Sequence, residues 1–359
     1  MKINFVRLQN FRNVEFAEVE LGTDSVWICG PNAQGKTNLL EALGLLFAAR
    51  SFRTTDISAL IRKGEREAGV LISVNLENIG DCEVEIKLSK KREITIMGER
   101  INRLGDFIGR FPALPMTSED VKIVRASPET RRKDIDMFIS YLDPIYFEAL
   151  KNYHSALTQR NALLRAEEKD PVYYKPFEVE MARNSAIIAQ KRKERLTQMA
   201  EIAVSLHSQL SGERQEQASI TLKTSSQADS EERFEEFLAN SRIKDIERHT
   251  TTKGIHRDDF PIFIGGLDAK TYASEGQQRS AALAIKLAQF RILKEEKGIE
   301  PVILCDDILS ELDASRRAEF WKCIPPSAQV ISTSTELYAP DCALREDWRV
   351  VRVNNGKYA

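Results

Sequence analysis

Residues Gly30-Pro31-Asn32-Ala33-Gln34-Gly35-Lys36-Thr37 match the pattern G-x-x-x-x-G-K-[ST], and their setting constrains the fold more than any other stretch of the chain. The apolar run before them, Val26-Trp27-Ile28-Cys29, reads as a short buried strand. After them, Lys36 to Ala49 carries Leu39, Leu40, Leu43 and Leu46 at helical spacing. A strand, a glycine-rich turn and a helix in that order aim backbone N–H groups and a helix N-terminus at one point, which suits a phosphate. An ordinary glycine turn is the plainer alternative, and the full pattern in this context argues against it. Lys36 is expected to neutralise the β- and γ-phosphates of ATP, and the Thr37 hydroxyl to bind Mg²⁺.

Such a loop needs a second carboxylate for the metal, at the end of another buried strand. Pro301-Val302-Ile303-Leu304-Cys305 reads as that strand and leads into Asp306-Asp307. Asp306 is the expected metal ligand and Asp307 the expected catalytic residue, polarising the attacking water; helix capping is the plainer role for such a pair. Upstream, Ser274, Glu275, Gly276 and Gln277 open a long helical pattern from Gly276 to Glu296. Alone, Ser-x-Gly before a helix is a common N-cap. Here it precedes Asp306-Asp307 and then Ser310-Glu311-Leu312-Asp313. The group resembles the signature, Walker B and D-loop of ABC-type ATPases, including heads of the SMC kind. That resemblance implies a nucleotide site completed in trans, with Ser274 to Gln277 of one copy meeting the γ-phosphate held by its partner in an ATP-dependent, head-to-tail homodimer.

At 359 residues the chain suits one large domain or two moderate ones. Ile3 to Leu8 and Val14 to Leu21 are β-like, joined by Asn10-Phe11-Arg12-Asn13, and Gly22-Thr23-Asp24-Ser25 is a turn. Val70 to Leu76, Cys82 to Leu88 and Glu93 to Met97 read as a small antiparallel meander. From Pro128 to Phe237 the pattern is mostly helical. Pro144 to Arg165 and Phe177 to Leu210 form an antiparallel pair, broken apart by Pro171 and Pro176. Gln217 to Lys223 reads as a lone strand and Thr224 to Ser230 as a polar linker. Strand–helix alternation then returns, with Phe260 to Ile264, a Gly265-Gly266 turn, Val330-Ile331-Ser332 and an edge strand from Trp348 to Val353. The expected fold is α/β: an ABC-type, SMC-head-like P-loop ATPase lobe from residues 1–125 and 251–359, with a mainly helical lobe, 126–250, inserted and no long coiled coil.

Composition narrows the partners. A hydrophobic fraction of 42% and a charged fraction of 30% are ordinary for a soluble globular protein. No apolar run approaches the roughly 18 residues of a membrane span, and Met1 to Arg7 lacks a signal-peptide core, so no membrane partner is expected. Cys29, Cys82, Cys305, Cys323 and Cys342 show no metal-ligand spacing, and Cys29 and Cys305 end apolar runs as core residues do. A reducing cytoplasm fits. The formal net charge of −2 argues against a uniformly basic DNA-binding surface and leaves a local patch, or one formed on assembly.

Several segments narrow the resemblance further. They are Leu8-Gln9-Asn10-Phe11-Arg12-Asn13, Asn38-Leu39-Leu40-Glu41-Ala42, Ser51-Phe52-Arg53-Thr54, Ser127 to Arg132, Gln159 to Leu164, Gly254-Ile255-His256-Arg257-Asp258-Asp259 and Ser274 to Arg279. With the P-loop and Asp306-Asp307 they make the chain similar, end to end, to the RecF family of bacterial recombinational-repair ATPases. The resemblance implies a switch in which ATP pairs two heads, the dimer binds single-stranded and junction or gapped duplex DNA, and slow, DNA-stimulated hydrolysis releases it. It also implies RecR and RecO as partners in recombinase loading and a link to SOS induction. Three departures stand out: Ile255 where the family typically has Pro, Glu275 where it often has Gln, and no Pro before Glu119.

A transporter ATPase subunit is the alternative from another class. The inserted lobe has a suitable size for it, but Phe11-Arg12-Asn13 and His256 to Asp259 do not fit. A nuclease of the overcoming-lysogenization kind would carry an additional acidic metal-binding domain, which this sequence lacks. Lys191-Arg192-Lys193-Glu194-Arg195 and Arg131-Arg132-Lys133 fall on predicted helices and read as solvated faces. His256 reads as a structural hydrogen-bonding residue.

Overall fold

Alternating burial along the first strands sets one sheet face inward. The computed structural model describes residues 1–22, 25–77, 79–168, 170–211, 218–224, 230–335 and 348–359. Thr23, Asp24, Gln217, Cys342 and all of the Thr224–Ser230 linker but its two ends lie outside them. The opening strands are β1 (Lys2–Phe11), β2 (Val14–Glu20) and β3 (Val26–Cys29), followed by α1 (Lys36–Ala48). Next come β4 (Ala68–Leu76), β5 (Gly80–Leu88), β6 (Arg92–Ile96), β7 (Glu99–Ile101) and β8 (Ala113–Thr117). Val70, Ile72 and Val74 of β4 and Val84 and Ile86 of β5 are fully buried while their neighbours face outward, the period-two pattern of a half-buried sheet. The meander is larger than expected. β4 also pairs with β1, giving one antiparallel sheet in the order β2-β1-β4-β5-β6-β7.

The chain forms two compact units, Met1–Asp120 with Gln289–Ala359, and Val121–Ala288. The second division falls at 288/289 rather than at the expected 250/251. Residues 251–288 hydrogen-bond within the helical unit: Thr252 with Asp245, and Lys286 with Asp134.

That second unit contains α2 (Lys122–Arg125), α3 (Pro128–Leu142), α4 (Pro144–Arg165) and α5 (Pro171–Ser211). It continues with β9 (Ala218–Ile220), α6 (Glu231–Glu247), β10 (Ile262–Ile264), β11 (Leu267–Asp268) and α7 (Ala269–Tyr272), and holds the start of α8 (Glu275–Lys297). Asp143 caps α4, accepting from the N–H groups of Ile145 and Tyr146, with Pro144 at the first helical position. The break after α4 is shorter than the prolines imply. Pro171 starts α5, where no N–H is needed, and Pro176 lies inside the helix, freeing the carbonyl of Val172, an exposed residue that water can reach. β9 is not a lone strand, since it pairs with β10, which turns through Gly265-Gly266 into β11.

Two basic residues read as solvated are buried instead. Arg192 is 1% exposed, donates to both Asp136 oxygens at 2.8 Å and to Asp258 at 3.2 Å. Arg131 forms a forked pair with Asp259 at 2.7 and 3.0 Å. Arg160, fully buried, bridges Glu178 and Asp245. No helix among the described residues is long and apolar enough to cross a membrane.

The chain returns to the first unit with β12 (Val302–Asp306), α9 (Ala314–Cys323), β13 (Val330–Ser334), β14 (Arg349–Asn354) and β15 (Lys357–Tyr358). They complete a second sheet, ordered β15-β14-β3-β13-β12-β8, in which all pairs but β14–β15 are parallel. Its inner strands β3, β12 and β13 are buried almost throughout, as strands covered on both faces are. β14 is not the edge: the two-residue hairpin after it places β15 there.

Candidate nucleotide site

β3 ends at Cys29 and α1 starts at Lys36, so Gly30 to Thr37 leave the parallel sheet at a strand's C-terminal end, where open α/β sheets bind ligands. Gly30 must lack a side chain, because a Cβ there would lie 2.3 Å from the Val353 carbonyl oxygen. Ala33 (φ 64°) and Gly35 (φ 114°) take left-handed backbone, which turns the loop around its own centre. The Lys36 ammonium folds back over the loop, donating to the carbonyls of Gly30 at 2.5 Å and Pro31 at 2.9 Å. Burial lowers its pKa, and Asp307, Cys29 and Asp306 oppose that shift.

Asp306 closes β12 between β13 and β8. Thr37 donates its hydroxyl to Asp306 Oδ1 at 2.9 Å, and Thr333 donates to the same oxygen at 2.8 Å. Burial raises the Asp306 carboxyl pKa despite these bonds. Asp307 sits at φ 51°, a strained conformation for a residue with a side chain. Thr333 accepts its N–H at 3.1 Å and Ser310 donates to its carbonyl at 2.8 Å. Its Oδ1 is buried with no hydrogen-bond partner among the described residues. A hydroxyl and a carboxylate side by side are the hard donors Mg²⁺ prefers, and the orphaned oxygen belongs to the next residue in the chain. So few protein ligands suit an ion that keeps waters and substrate phosphates.

Beside α1 opens a cleft of about 610 Å³ lined by Arg12, Asn13, Asn38, Arg53, Arg62 and Lys63. Two of its arginines are held by Glu41, fully buried, which accepts two bonds from Arg12 at 2.6 and 2.8 Å, one from Arg53 at 3.2 Å and one from the Ser51 hydroxyl. Arg12, Glu41, Ser51 and Arg53 come from three separate segments of the sequence resemblance. They form one charged cluster.

Ser274 to Gln277 lie in the second unit, at the start of α8. Ser274 and Gln277 form a reciprocal capping box: Gln277 N–H donates to Ser274 Oγ at 3.3 Å, and Ser274 N–H to Gln277 Oε1 at 2.6 Å. Ser274 and Glu275 are exposed and Gly276 is half-buried. Arg125 and Arg279 hydrogen-bond Glu275 and hold its carboxyl below the ordinary value. Of Ser310 to Asp313, expected as the D-loop and belonging to the first unit, Leu312 is buried and Asp313 caps α9 through the Arg316 N–H at 2.9 Å; Ser310 and Glu311 are exposed.

Two supports escaped sequence reading. Arg125 donates at 2.5 Å to Gln278, whose amide in turn ties down the carbonyls of Ala269 and Ala273 before α8. The β14–β15 hairpin lies against the phosphate loop, with the Tyr358 hydroxyl donating to the Gly35 carbonyl at 2.9 Å. The dipeptide Asn355-Gly356 is a hairpin signal in the sequence; Arg125 carries none.

A family profile described as an AAA ATPase domain matches residues 1–305. The DNA replication and repair protein RecF of Clostridium perfringens (strain 13 / Type A) is 33% identical over 359 residues, covering 99% of each chain. The chain belongs to the RecF family. RecF of Clostridium tetani (strain Massachusetts / E88) is 34% identical over 99% of both chains, and RecF of Synechococcus sp. (strain JA-3-3Ab) 32% identical over 100% of this chain and 98% of its own. A solved structure of the recombination mediator protein RecF with ATP, of the RecFOR pathway, superposes on this RecF-family chain with a TM-score of 0.90 at 29% identity, covering 100% of this chain and 97% of that one. The Smc head domain of Pyrococcus furiosus shares the fold, with a TM-score of 0.56 at 17% identity over 99% of this chain and 95% of that one.

Proposed function

We propose that this RecF-family chain is an ATP-dependent DNA-binding switch of recombinational repair and replication restart. The observation that carries the reading is the meeting of Thr37 and Asp306 at 2.9 Å at the mouth of the Gly30 to Thr37 loop. Backbone N–H groups of Gly30 to Thr37 and the α1 N-terminus would face the ATP phosphates, and Lys36 would exchange its two carbonyl partners for the β- and γ-phosphates. Thr37 and Asp306 would hold Mg²⁺, whose charge offsets that of the phosphates. The cleft along Asn13, Asn38, Arg53 and Lys63 would take the rest of the nucleotide. Asp307 would polarise the attacking water.

In the paired state, Ser274, Glu275, Gly276 and Gln277 of one copy would complete the site of the other, with Ser310 to Asp313 facing the partner. ATP binding thereby favours a head-to-tail dimer, the dimer holds single-stranded or gapped DNA, and slow hydrolysis releases it. Action in the cytoplasm with RecR and RecO, and a link to SOS induction, complete the proposal; the naming of the solved RecF as a mediator of the RecFOR pathway supports the partners. Binding to single-stranded, duplex and gapped oligonucleotides, with and without ATP across a salt series, tests it. The expected result is ATP-dependent, salt-sensitive binding that favours the gapped form. Binding that ignores ATP, or no DNA binding at all, would point to another ATP-driven machine.

A further inference from the structure

The β14–β15 hairpin touches the Gly30 to Thr37 loop at Gly30, Gln34 and Gly35. The Val353 carbonyl occupies the space a Cβ at Gly30 would need, 2.3 Å from it. Asn355 N–H donates to Gln34 Oε1 at 2.6 Å, and Gly356 N–H to the Gln34 carbonyl at 2.9 Å. The Tyr358 hydroxyl donates to the Gly35 carbonyl at 2.9 Å, an oxygen that also takes the first α1 hydrogen bond from Leu39 N–H at 3.1 Å. Asn355 (φ 48°) and Gly356 (φ 73°) form the two-residue turn with left-handed backbone at both positions that such hairpins favour.

Planar trans peptides convert these contacts into an orientation. The Gln34 carbonyl and the Gly35 N–H share one peptide plane and point opposite ways, as do the Gly35 carbonyl and the Lys36 N–H. Donors that hold both carbonyls outward therefore hold both N–H groups inward, toward the place a phosphate would occupy. We infer that the β14–β15 hairpin is a latch that presets the phosphate loop, with Tyr358 as a positioning residue acting through Gly35. The inference rests on the reading of Gly30 to Thr37 as a nucleotide site. A loop held in its binding form avoids the ordering cost that a free loop would bear on each binding event.

The test uses the full chain carrying Tyr358→Phe, Gly356→Val or Lys36→Ala, titrated with Mg²⁺·ATPγS, together with hydrogen exchange at residues 30–37 without nucleotide. Tyr358→Phe removes one hydroxyl and keeps the ring. Gly356→Val has room, the nearest atom to a new Cβ being 3.6 Å away, but forces a β-branched residue into left-handed backbone. The expected result for Tyr358→Phe is affinity lower by about three- to tenfold and faster exchange at residues 30–37, with exchange in β3 and in α1 beyond Leu39 unchanged. Gly356→Val is expected to lose more. Wild-type affinity in Tyr358→Phe while Lys36→Ala loses binding overturns the latch alone. Lower affinity without faster exchange in the loop overturns it as well. Wild-type affinity in Lys36→Ala overturns the nucleotide site itself, and the latch with it. Should Gly356→Val fail to fold, Tyr358→Phe decides the matter.

Discussion

Thr37 and Asp306, 269 residues apart in sequence, are joined by a hydrogen bond of 2.9 Å from the threonine hydroxyl to the carboxylate Oδ1. The bond ties the start of α1 to the end of β12 and fixes two oxygen donors side by side. Asp306→Asn keeps an acceptor for Thr37 and removes the charge. ATP affinity in excess chelator should be unchanged, and the gain in affinity on adding Mg²⁺ should fall by about tenfold or more, since a neutral amide is a poor ligand for a hard cation. Titration with and without Mg²⁺ checks this; an unchanged gain would remove Asp306 from the metal site.

Asp307→Asn addresses hydrolysis separately. The amide still reaches water but cannot polarise it as a carboxylate does, so turnover should drop by about 10²-fold or more while ATP binding persists and the ATP-bound dimer accumulates. Single-turnover hydrolysis and light scattering read the two effects. Turnover equal to wild type would move the role to another residue.

Arg192 should matter for stability rather than for DNA. It is 1% exposed, and Arg192→Met leaves Asp136 and Asp258 without their common cation, which costs about 3–5 kcal/mol for a broken buried pair. Lys193→Ala, at the next and exposed position, should stay within about 0.5 kcal/mol of wild type. Urea unfolding of both variants distinguishes them, and equal losses would contradict the buried assignment.

His256 gives the fold a pH dependence. Its Nε2 lies 3.2 Å from the Thr251 carbonyl, which can only accept, so Nε2 carries the proton and Nδ1 accepts from the Tyr153 hydroxyl at 2.6 Å. Burial lowers its pKa from 6.5 to about 4. Between these values the unfolded chain binds more protons at this residue than the folded one. The stability this site contributes is therefore complete above pH 6.5 and is lost as the pH falls toward about 4. His256→Gln should show a smaller fall in urea midpoint than wild type between about pH 7.5 and 5. An identical fall would show that the imidazole does not titrate against folding.

The sequence pattern reached the parts whose chemistry is local. Gly30 to Thr37 carry strand, turn and helix signals in one stretch, and Asp306-Asp307 follow an apolar run that suits only a covered strand. What it missed depends on pairing across the chain. β8 reads as an ordinary mixed segment until it pairs with β12, and β14 looks like an edge because β15 is only two residues long. The basic run at Lys191 to Arg195 shows why charge alone misleads. Arg192 falls on the face of α5 that meets Asp136 and Asp258, and no local periodicity announces those acids. For the same reason, the segments on which the resemblance is read look unrelated in sequence. Glu41 gathers Arg12, Ser51 and Arg53, and Asp259 holds Arg131.

The proposed sharing of one nucleotide site between two copies is tested most directly by Ser274→Arg. Ser274 is exposed at the start of α8, where it caps the helix, and in the proposed dimer the longer side chain would fill the place proposed for the partner's γ-phosphate. The account predicts that Ser274→Arg binds ATP normally as a monomer, fails to dimerise with ATP and, by linkage, loses ATP-dependent DNA binding. Mixing it with Lys36→Ala should partly restore pairing, because one composite site then joins an intact phosphate loop to an intact signature. Light scattering of each variant and of the mixture, with ATP, reads the outcome. A Ser274→Arg protein that still dimerises with ATP, or one that loses ATP binding as a monomer, would contradict the head-to-tail site.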